Sequence, residues 1–158
     1  MRIAFIALLF AASTCAQSQS AVVPAACGPS DISFRVTLDK SRHLLQQSGP
    51  EKALAYFFQD EAWANIGLDG AWVGTNRGHS YLSVSMEPGE HHICVNAISR
   101  DHPTEVAHLS AEAGKVYYYR VRVLPLDNGS YLFVDAIDSD EAKYLIASYS
   151  LSVSTPQK

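Results

Sequence analysis

From Tyr81 to Leu124 the chain reads YLSVSMEPGEHHICVNAISRDHPTEVAHLSAEAGKVYYYRVRVL, run after run of alternating apolar and polar residues punctuated by Pro88-Gly89 and Ala113-Gly114. Successive side chains on a strand point to opposite faces, so a period of two sustained over this length commits the chain to half-buried β-strands. Leu82, Val84 and Met86 share one face and Ser83 and Ser85 the other. In the turn Glu87-Pro88-Gly89-Glu90, Pro fixes φ and Gly tolerates positive φ. The runs on either side of it are expected to form a hairpin. Beyond the turn Ile93, Val95 and Ala97 share a face with His91, while His92, Cys94, Asn96 and Ile98 lie opposite. Lys115 to Leu124 is the longest run, with Tyr117, Tyr119, Val121 and Val123 on one face and Tyr118, Arg120 and Arg122 on the other. The two arginines mark that second face as the outer one.

The rest of the chain fits around this block. Met1-Arg2 followed by the apolar run Ile3 to Ala12 has the form of a signal peptide and is too short to span a bilayer as a helix. Small residues in Thr14-Cys15-Ala16 place cleavage after Ala16, with acylation of Cys15 or a cut after Ala26 as the alternatives. Cleavage after Ala16 leaves about 142 of the 158 residues, enough for one domain with a real core. The net charge of −4 becomes one unit more negative when Arg2 is removed. That balance argues against a general nucleic-acid binder, which normally carries a basic face. Residues 17–30 read as a flexible leader ending at Cys27-Gly28-Pro29, and Ile32, Phe34, Val36 and Leu38 alternate as a first strand. Lys40 to Pro50 is a connection with a helical turn around Leu44-Leu45.

Ala53 to Gln59, ALAYFFQ, is apolar on both faces, which predicts a central strand covered on both sides. Two short strands, Asn65 to Leu68 and Ala71 to Gly74, flank Asp69-Gly70, a strong hairpin signal. Asn76-Arg77-Gly78 is a further turn, Glu105 to Ala111 another alternating strand, and Asp127-Asn128-Gly129 a turn leading into Tyr131 to Ile137. Asp138-Ser139-Asp140-Glu141 has the D-x-x-E form of a helix N-terminus, and Ala142, Leu145, Ile146 and Tyr149 recur at the spacing of one helical face. Leu151 to Lys158 is expected to be an extended or frayed tail. Several short strands with a turn signal every ten residues or so, and one helix near the C-terminus, predict an antiparallel β-sandwich over 31–150.

The segments GLDGAWVG, SMEPGEHHICVNA, AEAGKVYYYRVRV and IDSDEAKYLIASYSLSVS together resemble the bacterial family known as domain of unknown function 2846, over roughly Cys27 to Ser154. The pieces DG-x-x-VG and PGEH also resemble PEGA-type β-domains, surface modules of bacterial envelopes. The resemblance implies an immunoglobulin-like or prealbumin-like sandwich, exported, with no catalytic residues. The matching positions are mostly turn glycines and core aromatics, which carry a fold and no mechanism.

Little in the chain points to chemistry. After cleavage at Ala16 two cysteines remain, Cys27 and Cys94, and in an oxidising compartment they are expected to pair. His91-His92 cannot chelate one ion together, because strand neighbours face opposite ways. His91 could join His79 or His108 only if their strands are adjacent and in register. Ser80, His79 and Asp101 supply the residue types of a hydrolase, without a nucleophile elbow, a zinc-protease helix or a phosphate loop. Asn128-Gly129-Ser130 matches a glycosylation acceptor and equally spells a turn. No catalytic residue, metal ligand or cofactor is therefore expected. The alternative is a small metal-dependent or hydrolytic enzyme built on the histidines.

The outer face of the Lys115 strand leads to one last expectation. A paired strand carrying Tyr131, Phe133, Asp135 and Ile137 sets Asp135 near an arginine and leaves an aromatic strip. The helix face of Leu145, Ile146 and Tyr149 is expected to cover that sheet's end or outer face, leaving Tyr118 and Arg120 at the rim as contacts for a protein or glycan partner of the cell envelope.

Overall fold

The computed structural model describes residues 26–41, 45–98, 103–127 and 129–157. The expected signal peptide and its cleavage, the turn at Leu44, Asp101, and the Asn128 side chain lie outside them. Among the described residues ten strands and one helix follow in the order β1 (Ser33–Asp39), β2 (Ala53–Gln59), β3 (Ala64–Leu68), β4 (Ala71–Asn76), β5 (Ser80–Met86), β6 (Gly89–Ala97), β7 (Thr104–Ala111), β8 (Val116–Leu126), β9 (Gly129–Ala136), α1 (Ser139–Ser148) and β10 (Ser150–Gln157). They build two stacked sheets, a six-stranded one ordered β1-β10-β5-β2-β8-β9 and a four-stranded one ordered β4-β3-β6-β7. The protein is a β-sandwich with one helix near its C-terminus.

Hydrophobic burial on both faces of β2 organises the larger sheet. Every residue of β2 is buried, as the unbroken apolar run requires, and the strand lies between β5, antiparallel, and β8, parallel. One face of β2 looks into the sandwich, where Phe57 joins Ile66, Ile93, Val95 and Val121 between the sheets. The other face carries Tyr56 and Phe58 and is covered by Ala142, Leu145, Ile146 and Tyr149 of α1 and the residue after it. The helix thus hides the outer face of β2 from water. It starts where the sequence places it, because the Asp138 carboxylate accepts from the backbone N–H of Asp140 and of Glu141, each at 2.8 Å.

Other expected elements fall into place. In the β3–β4 hairpin Asp69 and Gly70 have φ of 50° and 84°, the paired left-handed conformation that fits the twist of a two-residue hairpin. Strands β8 and β9 pair through Leu126 and Gly129, and Arg122 donates to Asp135 Oδ2 from Nε and Nη2 at 2.9 and 2.6 Å. Cys27 and Cys94 are joined by a disulfide, and both are buried.

Three expectations need correction. The runs flanking Pro88-Gly89 are not a hairpin: β5 belongs to the larger sheet and β6 to the smaller, so the turn carries the chain across the core. Leu82 and Met86 meet Ile93 and Val95 face to face between the sheets. Alternation specifies which residues face the core, and it is the same whether two strands pair edge to edge or stack. The segment from Leu151 is not a tail either. It is β10, inserted between β1 and β5, pairing antiparallel along all of β1 and parallel with β5 at Ser150 and Leu151. Ser152 Oγ donates to the Thr75 carbonyl at 2.7 Å and Ser154 Oγ accepts from the Thr75 N–H at 2.9 Å, tying β10 to β4 of the other sheet. The domain therefore extends past residue 150. It also begins before residue 31: Ala26 accepts from the Gly70 N–H at 3.0 Å, Pro29 accepts from Trp72 Nε1 at 2.9 Å, and Gly28 lies so close to Trp72 that a Cβ there would collide with the indole ring.

Candidate binding surface

Arg120 and Tyr118 lie on the outer face of β8, as their alternation requires, and the structure engages both. Arg120 donates to Asp60 Oδ2 from Nε and Nη2 at 2.9 and 2.7 Å, and to Glu141 Oε1 from Nη1 at 2.8 Å. Tyr149 donates its hydroxyl to the other Asp60 oxygen at 2.8 Å. Burial, together with that bond to Asp60, pushes the Tyr149 phenol up to about 12, so it remains a donor throughout the physiological range. Asp60 follows directly on β2, and Glu141 and Tyr149 sit at the two ends of α1, so this network clamps the helix to the sheet. Tyr118 stacks on Tyr56 with ring centroids 5.8 Å apart, and burial raises its phenol above the usual value. Arg120 is thus a clamp whose side chain is only one-third exposed (34%).

The uncovered part of this face lies farther out. Helix α1 packs over β2, β5 and the first half of β8. Beyond Arg120 the outer face presents Arg122, Leu124 and Leu126 on β8 beside Tyr131 and Phe133 on β9. Leu124 is 43% exposed, Leu126 59%, Tyr131 47% and Phe133 40%, which makes this a contiguous apolar strip open to solvent. Leu124 pairs directly with Tyr131, and the Arg122 guanidinium lies over the Phe133 ring, 5.7 Å from its centroid. A small cleft lined by Asp60, Glu61, Arg122, Val123 and Leu124 opens beside the strip. As expected, the helix face of Leu145, Ile146 and Tyr149 packs on the outer face of this sheet, yet it leaves the strip open. It stops short because the fully apolar outer face of β2, two strands inward, has the stronger claim on it.

The described histidines occupy three separate places. His79 sits in the β4–β5 connection with φ of 54°, its ring edge-on to Tyr149 at 5.6 Å. His92, not His91, lies opposite His108 on β7, with ring centroids 4.4 Å apart on the exposed face of the smaller sheet. Among the described residues no group of three or more His, Cys, Asp or Glu side chains is arranged to hold a metal ion. Ser80 Oγ bonds the Arg77 backbone and closes the turn it follows, so it is employed structurally.

His91 has a structural partner of its own. Its Nδ1 meets Asp69 Oδ2 at 2.6 Å and its Nε2 meets the Glu87 carbonyl at 2.7 Å, so only the doubly protonated ring donates to both. The bond to Asp69 raises the His91 pKa above the ordinary imidazole value. Burial pushes the Asp69 carboxyl upward, but the His92 N–H and the His91 ring outweigh it and hold Asp69 below the usual carboxylate range. The raised imidazole contributes stability that is fully present below the unfolded-state pKa and fades as pH rises through the folded one. The depressed carboxylate contributes stability that fades as pH falls through its own folded pKa. Asp69→Asn tests this cleanly, since Asn also tolerates positive φ. The gap between wild type and variant should be about 1 kcal/mol near pH 5 to 6, and should shrink toward pH 9 and again below pH 3. A gap constant over that range, measured by urea unfolding, would remove the charge contribution.

No family model, curated protein or solved structure matches the chain. Among the described residues no helix is long and apolar enough to cross a membrane.

Proposed function

We propose that this chain is an exported, non-catalytic β-sandwich module of the bacterial cell envelope that binds a protein or glycan partner on the outer face of β8 and β9. The observation that carries the reading is the open strip of Leu124, Leu126, Tyr131 and Phe133. Contiguous exposed apolar area on a small domain marks an interaction surface, and aromatic rings flanked by an arginine and a carboxylate suit either a protein side chain or a sugar face. Tyr118 and Arg120 border the strip and contribute by holding the helix and sheet that frame it. The signal-peptide form of Met1 to Ala16, the Cys27–Cys94 bond and the resemblance to domain of unknown function 2846 support export.

The test is capture from envelope extracts and binding to an envelope-glycan array with the mature protein. Tyr131→Ala combined with Phe133→Ala should reduce binding at least tenfold with little loss of stability, because both rings point outward. Tyr144→Ala, at a position 71% exposed on the far side of the helix, should leave it unchanged. Equal capture by the double variant and the wild type would move the site elsewhere. Intact mass of the protein released by a bacterial host should show loss of the leader, and retention of Met1 would overturn export with cleavage.

A further inference from the structure

We propose that β9 pairs antiparallel with β9 of a second copy of this chain, about a two-fold axis through Leu132, so that the larger sheets of two molecules become one. This is independent of the partner proposed above. The two sheets end in four strands, β1, β9, β4 and β7. An end strand offers backbone N–H and C=O groups to any passing strand, and proteins guard such edges with charged side chains, proline, irregular pairing or cover. Three of the four carry a guard. β1 bears Arg35 and Asp39. β4 pairs with β3 through a register shift, and the Thr75 backbone is taken by Ser152 and Ser154. β7 bears Glu105 on the same side as its core-facing Ala107, Leu109 and Ala111. β9, GSYLFVDA, has no lysine, arginine or proline, and its one charge, Asp135, is engaged by Arg122 of its own sheet. No described strand lies on its outer side.

The sequence of β9 also decides what fits there. A two-fold axis perpendicular to a sheet keeps each residue on its own face, so core-facing Leu132 and Val134 must meet core-facing residues, and outward Tyr131 and Phe133 outward ones. The axis must therefore pass through a residue. Through Leu132, Tyr131 of each chain lies opposite Phe133 of the other, giving two aromatic cross-strand pairs and a Leu132 to Leu132 contact on the core side. Through Phe133, each Tyr131 would face Asp135 instead. Aromatic pairs on directly opposed positions stabilise a sheet, and two identical strands that each supply one tyrosine and one phenylalanine complement themselves. The same pairing joins the two exposed strips into one platform.

Sedimentation equilibrium of the mature protein from micromolar to millimolar concentration tests the pairing. Wild type should double its mass with rising concentration. Phe133→Lys should remain folded by circular dichroism and monomeric, because the side chain faces outward and the substitution sets lysine cations at the seam beside Arg122. An equimolar mixture of Tyr131→Cys and Phe133→Cys should form a disulfide-linked heterodimer under mild oxidation. A wild type that stays monomeric throughout, or a Phe133→Lys protein that dimerises as strongly as wild type, would overturn the pairing. Efficient cross-linking of Phe133→Cys to itself would overturn the axis through Leu132.

Discussion

Cys94→Ala should lower the stability of the mature domain by about 4 kcal/mol, the loop-closure entropy of a bridge between residues 67 apart in sequence. At this chain length that corresponds to a fall in Tm of about 10 °C or more. The loss comes mainly through the unfolded chain, which regains the freedom that the bridge removes, since removing one buried disulfide sulfur leaves only a small void. The folded state also loosens locally. The segment at Cys27 crosses the outer face of the smaller sheet, held by Cys94, by Trp72 over Gly28 and by the Gly70 N–H. Oxidised and reduced wild type and the variant, compared by thermal and urea unfolding, check this. Reduced wild type should coincide with Cys94→Ala, and peptide mapping without reductant should recover the linked pair. A variant as stable as the oxidised wild type would mean that the bridge contributes nothing.

Leu145→Ala should cost about 2–5 kcal/mol, the range for truncating a buried leucine. Leu145 is 3% exposed and closes the cluster of Leu54, Tyr56, Phe58 and Tyr81 on the outside of β2. Those aromatic rings have no other cover among the described residues than α1 and the residues packed beside it, so the cavity opens at the centre of that cluster. Arg120→Ala should fall in between, at about 1–2 kcal/mol, because it leaves Asp60 and Glu141 without their cation in a half-exposed setting. Tyr144→Ala should be neutral. Near-UV circular dichroism adds a second readout, since the Tyr56, Phe58, Tyr81 and Tyr118 rings are in contact under the helix. An unchanged Tm for Leu145→Ala would mean that α1 is loosely attached.

What the amino-acid sequence determined by itself is local. Alternation assigned Tyr117, Tyr119, Val121 and Val123 to the core and Tyr118, Arg120 and Arg122 to the outside, because the pleat leaves no other choice once one face must be dry. Composition placed β2 at the centre, Asp69-Gly70 in its turn, Asp138 at the start of the helix, and Asp135 beside an arginine. What only the tertiary structure decided is which strand lies next to which. Stacking and pairing demand the same periodicity, so the Pro88-Gly89 turn reads as a hairpin although it crosses the core. The place of β10 turns on Ser152 and Ser154 finding the backbone of Thr75, a distant hydrogen bond that leaves no periodic mark. The surface was decided in the same way. Arg120 and Phe133 lie on the same outward face, but Asp60, which follows β2, draws Arg120 into a clamp, while the helix settles on β2 and leaves Phe133 open to solvent. Which outward residues remain available to a partner depends on competition for cover among residues far apart in the chain, and that competition is resolved only in the folded molecule.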